Sequence, residues 1–408
     1  MKVCNIIYSF SPYNCGGADI YAEKISKYLV KFGHESIVIT TKPYNGLQSL
    51  RPMVEYVDGL KVFRFYPANI YFVGNHTRKN FLERLLWSII DTYNLHPWRV
   101  ITYIIKTEKP DIVHLHTPVS ISLSVFNSIK RLNIPLIFTL HDYFLLCKRA
   151  TLLNHRGEIC KNPVLPCIFY RWMTKKVTNL NNPDVVISPS KFALDLLRKY
   201  SFFKNSRKII LPNGIDVPKK PIKKIDNGII DIVYIGALSQ HKGVHLLVEV
   251  FNKLNLKNVR LHIAGKGPME KFLRRLSRKN NKITFYGWIS EKRKKELLRM
   301  GDISVLPSLW YENFPTFVLE SFSYSIPVIG SNIGGIPELV RDGYNGLLFS
   351  VGNVLELKKA ILKIALEDSK LRELSSNAYK TAKMYKIDEH VKKLVEIYSS
   401  VLSKQSNY

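Results

Sequence analysis

Residues 231–265, DIVYIGALSQHKGVHLLVEVFNKLNLKNVRLHIAG, switch between two periodicities, and the switch decides the fold. DIVYIG is a nearly continuous apolar run, the pattern of a strand buried on both faces. The loop ALSQHKG bends the chain, a helix-period run follows from about Gly243 to Leu254, and RLHIAG returns as a second strand. The N-terminus repeats the plan. There KVCNIIYS reads as a strand, FSPYNCGGAD is a loop carrying Gly16 and Gly17, and Ile20, Ile25, Tyr28, Leu29 and Phe32 recur at helical spacing. Gly33 then stops that helix before the strand ESIVIT. Two β-loop-α-β units far apart in one chain predict two doubly wound domains, each built on a parallel sheet.

Other short apolar runs extend both sheets: DIVHLH (111–116), PLIFTL (135–140), DVVIS (184–188) and KIIL (208–211) in the first half. KITFYG (282–287), DISVLP (302–307) and IPVIG (326–330) do so in the second. Between the halves, LPNGIDVPKKPIKKIDNG (211–228) exchanges hydrophobic periodicity for Pro, Gly, Asn and Lys, which marks a hinge. The expected division is therefore residues 1–210, a linker over 211–228, a second domain over 229–385 and a terminal helix over 386–408 that packs back toward the first domain.

The chain has 408 residues, enough to bury a sizeable core in more than one domain, and its 61 Lys and Arg against 32 Asp and Glu give a formal charge of +29. Such a field favours an anionic partner: a nucleic acid, a phosphorylated ligand or an anionic membrane face. The first residues lack the long apolar stretch of a signal peptide, and no window reaches the roughly 18 apolar residues of a spanning helix. The expected location is the cytoplasm. Five cysteines make no disulfide framework. Cys147, Cys160 and Cys167, with His141 and His155 nearby, have zinc-ligand chemistry but no Cys-x-x-Cys pair, so buried or free thiols are the expectation.

The stretch WYENFPTFVLE (310–320) carries two glutamates eight positions apart. Asn313 is the predicted N-cap and Pro315 suits the first turn, so a helix should start between Glu312 and Glu320. A helix start after a parallel strand presents backbone N–H groups to a phosphate; Pro315 has none, leaving Phe314, Thr316 and Phe317 as donors. A diphosphate there would let Glu320 reach a ribose hydroxyl and Glu312 a sugar beyond the phosphates. Lys242, in SQHKG, falls at the same sheet edge, either to neutralise phosphate or as a solvated loop lysine.

The runs GALSQHKG, HIAGKGP, ITFYGWIS and LPSLWYENFPTFVLESFSYSIPVIGSNIGGIPELVRDGYNGLLF, with SPYNCGGAD, GHESIVIT, DIVHLHTP, TLHDYFLLCKR and LPNGID before them, closely resemble retaining GT-B glycosyltransferases of family 4. The resemblance spans nearly the whole chain. It implies two Rossmann-like domains facing a cleft, an acceptor on the N-terminal domain and a nucleotide diphosphate sugar on the C-terminal one. By position, Glu312 would contact the donor sugar, Glu320 the ribose, and Lys242 with the amides around Thr316 the diphosphate. Gly287 and Trp288 would lie near the base, with Gly265 and Gly267 close by. Gly16 and Gly17 would let backbone approach the donor, and His141, otherwise a structural histidine, would contact its sugar. No cofactor and no metal are implied, in keeping with the lack of any Asp-x-Asp sequence.

Three positions depart from the pattern. Ala237 stands where many relatives place a second diphosphate-binding Arg, a role Arg149 or another base would have to fill; Asn313 replaces a commoner Gly; and Asp19 stands where Glu often follows the glycine pair. The resemblance implies a metal-independent hexosyltransferase acting on a glycan or lipid-linked acceptor in cell-surface polysaccharide or glycoconjugate synthesis, with front-face chemistry in which Glu312 is not a nucleophile. A nucleotide-sugar epimerase of similar shape and a basic nucleic-acid-binding protein are the competing readings; no recognised nucleic-acid module occurs. Residues 257–299 hold 14 Lys or Arg against 3 Glu. RKNFLERLLWSIIDTYNLHPWR (78–99), with Phe81, Leu85, Leu86, Trp87 and Ile90, fits either a core helix or an interfacial one at an anionic inner-membrane surface.

Overall fold

The computed structural model describes residues 1–13, 16–222, 228–254 and 256–405. The chain divides into two compact units, the first made of residues 1–150, 163–212 and 388–408, the second of residues 151–162 and 213–387.

In the first unit, β1 (Lys2–Ile6) buries Val3, Cys4, Asn5 and Ile6 and therefore pairs on both sides. It lies between β2 (Glu35–Thr41) and β5 (Ile112–Leu115). With β3 (Met53–Val57), β4 (Leu60–Phe65), β6 (Leu136–Thr139), β7 (Val185–Ser188) and β8 (Arg207–Ile210) it forms an eight-stranded sheet of order β3-β4-β2-β1-β5-β6-β7-β8. Only the β3–β4 pair is antiparallel. Sequence reasoning passed over that hairpin, although Asp58-Gly59 between two strand-like runs is its signal. Both turn residues have positive φ, 48° and 81°, as a tight hairpin with the twist of its strands requires.

Helix α1 (Gly17–Lys31) follows β1 and buries Tyr21, Ala22, Ile25 and Leu29. The 78–99 stretch holds α2 (Phe81–Thr92) and the start of a second helix, Leu95–Glu108. Trp87 of α2 is buried and donates from Nε1 to the Tyr71 carbonyl (2.9 Å), while Leu82, Leu85, Leu86 and Ile89 point outward. Helix α3 (Leu165–Leu180) and the C-terminal helix (Ile387–Gln405) complete the elements used below. Among the described residues no helix is long and apolar enough to cross a membrane.

In the second unit, β9 (Ile230–Ile235), β10 (Val259–Ala264), β11 (Ile283–Gly287), β12 (Ile303–Leu306), β13 (Val328–Ser331) and β14 (Gly346–Phe349) form an all-parallel sheet of order β11-β10-β9-β12-β13-β14. The sequence reading did not include β14. Helix α4 (Val244–Asn252) packs Leu247, Val248 and Phe251 into the core that β9, β10 and β12 share. Helices α5 (Glu291–Met300) and α6 (Thr316–Ser323) flank β12 in sequence. Residues 151–162 belong to this unit although they fall inside the first half of the chain: Leu153 bridges Ile159, and Ile159 packs on the cluster that holds Ile215, Phe317 and Ile336. Linker residues 223–227 lie outside the described residues.

Candidate functional site

The second sheet reverses direction of growth between β9 and β12: β10 and β11 extend one side, β13 and β14 the other. The C-terminal ends of two strands at such a reversal are the usual ligand position of such sheets. The loop after β9 carries His241 and Lys242, and the loop after β12 carries Ser308, Trp310 and Glu312. They are tied together by the Leu309 amide donating to the His241 carbonyl (2.8 Å). At Gly243, φ is +68° and an added Cβ would lie 1.8 Å from the Pro307 carbonyl oxygen, so only glycine permits this approach.

Within the joined loops, Lys242 Nζ donates to both Glu312 oxygens, 2.8 Å to Oε1 and 3.1 Å to Oε2. Oε1 also accepts from Ser308 Oγ (2.6 Å) and Trp310 Nε1 (2.8 Å). The ammonium sits 4.8 Å from the centre of the Trp310 ring, whose edge packs against His241. Glu312 is only 5% exposed. Burial pushes its carboxyl up, but the Lys242 charge and the hydrogen bonds from Lys242, Ser308 and Trp310 outweigh burial and hold it below the ordinary value. Sequence reasoning gave Lys242 and Glu312 separate tasks; the structure makes them one ion pair.

Helix α6 begins at Thr316, with Pro315 rather than Asn313 at the cap position. The proline ring disfavours helical backbone at the residue before it, so Phe314 cannot be the first helical residue and Asn313 falls outside capping reach. First-turn amides of α6, those of Thr316 and Phe317, have no carbonyl four residues back within the helix, which starts four residues after Glu312. Glu320, one turn further on, pairs with Lys294 of α5 at 2.9 Å, and Lys294 also meets Glu291. Glu312 and Glu320 thus have different partners. Gly334 and Gly335, which sequence reasoning did not single out, press on the Glu312 loop: the Gly335 amide donates to the Glu312 carbonyl (2.7 Å), and a Cβ there would lie 2.1 Å from the Asn313 carbonyl oxygen. The Gly-Gly of SNIGGIP was the available signal.

Gly265 and Gly267 follow β10 and pack on the loop of Gly236 to Leu238, where the Tyr234 hydroxyl donates to the Ala237 carbonyl (2.9 Å). Gly287 ends β11, its carbonyl accepting from the Gly265 amide (2.7 Å), and Trp288 beyond it is 70% exposed.

In the first unit, an added Cβ at Gly16 or Gly17 would meet nothing within 4 Å; Asp19 closes the start of α1 by accepting from the Gly16 amide (3.0 Å). His141 belongs to a cluster. Its Nε2 lies 3.2 Å from His116 Nδ1, and His116 Nε2 lies 3.2 Å from Asn5 Oδ1. His114 is held between Tyr398 and Thr139 hydroxyls (2.6 and 2.7 Å), and Tyr21 joins His390 at 2.7 Å while its ring packs on His116 and His141. Burial pushes His114 and His141 down to about 3 and His390 to about 4, and burial together with its histidine neighbours also lowers His116, so all four imidazoles are neutral near neutral pH. His114 and His116 could have been found as a period-two pair on the strand DIVHLH. A pocket beside them is lined by His116, Leu140, His141, Asp142 and Phe144, and burial raises Asp142 to about 6. Among the described residues no group of three or more His, Cys, Asp or Glu is arranged to hold a metal, and Cys147, Cys160 and Cys167 are free thiols.

Two doubly wound units, one with a lysine–carboxylate pair at its switch point, define the GT-B class of glycosyltransferase. The sequence narrows this to a family. Residues 15–219, half of the chain, match Glycosyltransferase Family 4, and residues 218–381 match Glycosyl transferases group 1; the chain belongs to family 4. It is 25% identical over 398 residues to an uncharacterised 42.6 kDa protein in the cps region of Klebsiella pneumoniae, covering 95% of this chain and 99% of that one. Its fold is similar to sucrose-phosphate synthase from Thermosynechococcus elongatus, with a TM-score of 0.75, 16% identity and 99% of each chain covered. It is also similar to Anabaena HepE in complex with UDP-glucose, with a TM-score of 0.69, 18% identity, and 98% of this chain and 100% of that one covered.

Proposed function

We propose that this glycosyltransferase moves a hexose, with retention at the anomeric carbon, from a nucleotide diphosphate sugar to a hydroxyl of a glycan or lipid-linked saccharide, in cell-surface polysaccharide or glycoconjugate synthesis. The observation that carries the proposal is the Lys242–Glu312 pair at the switch point beside the start of α6. A diphosphate entering there meets a cation and unpaired first-turn amides, both suited to the charge that grows as the sugar–oxygen bond breaks. Family membership, the UDP-glucose held by Anabaena HepE and the setting of the Klebsiella relative support the substrate classes.

In this scheme the sugar C1–oxygen bond to the diphosphate breaks, the acceptor oxygen bonds to C1 on the same face, and the acceptor proton passes to the departing phosphate oxygen. Lys242 and the amides of Thr316 and Phe317 stabilise that oxygen. Glu312 orients Lys242 and the sugar; its oxygens already accept four hydrogen bonds, which disfavours attack on C1. Glu320 takes the ribose hydroxyls, Trp288 lies by the base, and His141 offers a neutral imidazole to the donor sugar. Lys266, exposed on the glycine loop bonded to Leu238, supplies the cation missing at Ala237. Protein cations and amides carry the phosphate charge, so the scheme requires no metal and no cofactor, and the substrates place the enzyme on the cytoplasmic side.

The test is a panel of nucleotide sugars scored by thermal stabilisation, followed by turnover of the stabilising donor with and without saccharide acceptors and the anomeric configuration of the product by NMR. One donor should stabilise and turn over only with acceptor, giving a retained product. Donor conversion without acceptor would identify an epimerase, and an inverted product would overturn the front-face scheme.

A further inference from the structure

Helix α3 is amphipathic in the reverse of the usual sense. Its buried face is Tyr170, Thr174 and Thr178, with the Tyr170 hydroxyl donating to the Phe144 carbonyl (3.0 Å) and Thr174 Oγ1 to the Leu145 carbonyl (2.8 Å). The outward face carries Leu165, Ile168, Phe169 and Trp172, spaced as one helical stripe; Leu165 is 80% and Phe169 61% exposed. Phe169 and Trp172 stack on each other in the open, 5.7 Å between centroids, and Lys176 lies 5.3 Å from the Trp172 ring centre. Hydroxyls turned inward and aromatics turned outward are costly in water unless something covers the stripe.

The charge pattern says what covers it. From Pro163 to Pro183 there is no Asp or Glu; Arg171 is turned inward, donating to the Leu146 carbonyl and lying over the Tyr200 ring, while Lys175 and Lys176 follow the apolar stripe. A second copy docked through the same stripe would set these cations against each other about a twofold axis, a like-charge contact that opposes association. An anionic bilayer meets both halves of the pattern: the aromatics enter the headgroup boundary and the long basic side chains reach phosphate. The outward stripe of α2, in the same unit, is a second surface of this kind, and it includes Leu85 and Leu86 from the 78–99 stretch.

We infer that the outward face of α3 docks the protein on an anionic lipid surface, with Phe169 and Trp172 inserted and Lys175 and Lys176 on the headgroups. The inference is independent of the donor chemistry proposed above.

The experiment is flotation of the full chain with vesicles of phosphatidylcholine alone or with about 30 mol % phosphatidylglycerol, at roughly 0.15 M salt to screen weak surface attraction. The protein should float with the anionic vesicles and not with the neutral ones. Phe169→Ser/Trp172→Ser should lower the bound fraction on the order of tenfold, and Lys175→Glu/Lys176→Glu should abolish the preference for anionic lipid. Phe169, Trp172 and Lys176 are exposed and Lys175 is half-buried, and each double variant should keep the wild-type thermal transition. Absence of flotation, or undiminished flotation of the Phe169→Ser/Trp172→Ser variant, overturns the proposal. So does a concentration-dependent dimer without vesicles that this variant disperses, since a second copy would then be the occupant. Flotation as expected alongside a donor panel with no hit would leave the docking face intact and remove the enzymatic scheme instead.

Discussion

Removing either partner of the Lys242–Glu312 pair should be costly, and the two costs should differ. At 2.8 Å and an effective dielectric of about 20, the Coulomb attraction is roughly 6 kcal/mol before desolvation. Losing one partner of a buried pair typically costs about 3–5 kcal/mol, because the other charge stays buried without compensation. The Lys242 side chain is 22% exposed and that of Glu312 7%, so the lysine can turn to water and the carboxylate cannot. Glu312→Gln should therefore fall near or below the low end, about 2–3 kcal/mol, and Lys242→Met near the high end, about 4–5 kcal/mol. The double variant should cost clearly less than the sum, with a coupling of at least about 2 kcal/mol.

The pH dependence gives a second readout of the same pair. In the wild type the Glu312 carboxyl lies below its unfolded value of 4.5, so its contribution is complete above that value and is lost as pH falls through the folded one. Without Lys242, burial dominates and the folded value should move above 4.5, so acidification toward pH 4.5 should relieve the destabilisation of Lys242→Met. Denaturant-dependent hydrogen exchange of peptides covering 303–323 measures each quantity within the second unit. Small, additive losses for the single variants, each under about 1 kcal/mol, would refute the reasoning.

Two further outcomes follow from the candidate sites. Glu320→Gln should weaken donor binding by roughly ten- to hundredfold with turnover at saturation little changed, whereas Glu312→Gln should mainly lower turnover; negligible and equal effects in donor titration and steady-state rates would remove the assignment. In the first unit, His114, His116, His141 and His390 have folded values below their unfolded 6.5, so stability present above 6.5 is lost as pH falls, by about 2 kcal/mol each at about pH 5. Burial raises Asp91 to about 7 and Asp142 to about 6, which works in the opposite sense and returns about 2 and about 1 kcal/mol over the same interval. Unfolding at pH 7 and pH 5 should show a net loss of about 4–6 kcal/mol that Asp91→Asn steepens; an unaltered slope in that variant would contradict the balance.

How much of this was legible in the sequence depends on the range of the interaction behind each feature. Strands buried on both faces announce themselves locally, and DIVYIG, DISVLP and DIVHLH were found for that reason. The β3–β4 hairpin was equally local, and Asp58-Gly59 marked it. Residues 151–162 are a different case, because their place in the second unit rests on Ile159 meeting a core assembled mostly from residues beyond position 300. No periodicity around Leu153 encodes that.

The candidate site divides in the same way. Each residue type was visible: a loop lysine, a loop glutamate, a helix start. That Lys242 and Glu312 form one pair, 70 positions apart, depends on β9 and β12 being neighbours, which is a property of strand order. Strand order is set when α4 and the other crossovers choose faces of the sheet, after every local preference has been satisfied. The glycines record that choice more faithfully than the charges do. Gly243 and Gly335 sit where one loop backbone crowds another, so their places in the sequence mark which loops meet. Read as a set with GALSQHKG and SNIGGIP, they connect the loop after β9 to the loop after β12, and that second loop to the one after β13. Those three loops frame the carboxylate–lysine pair, and a substitution at either glycine should disturb it without touching either charge.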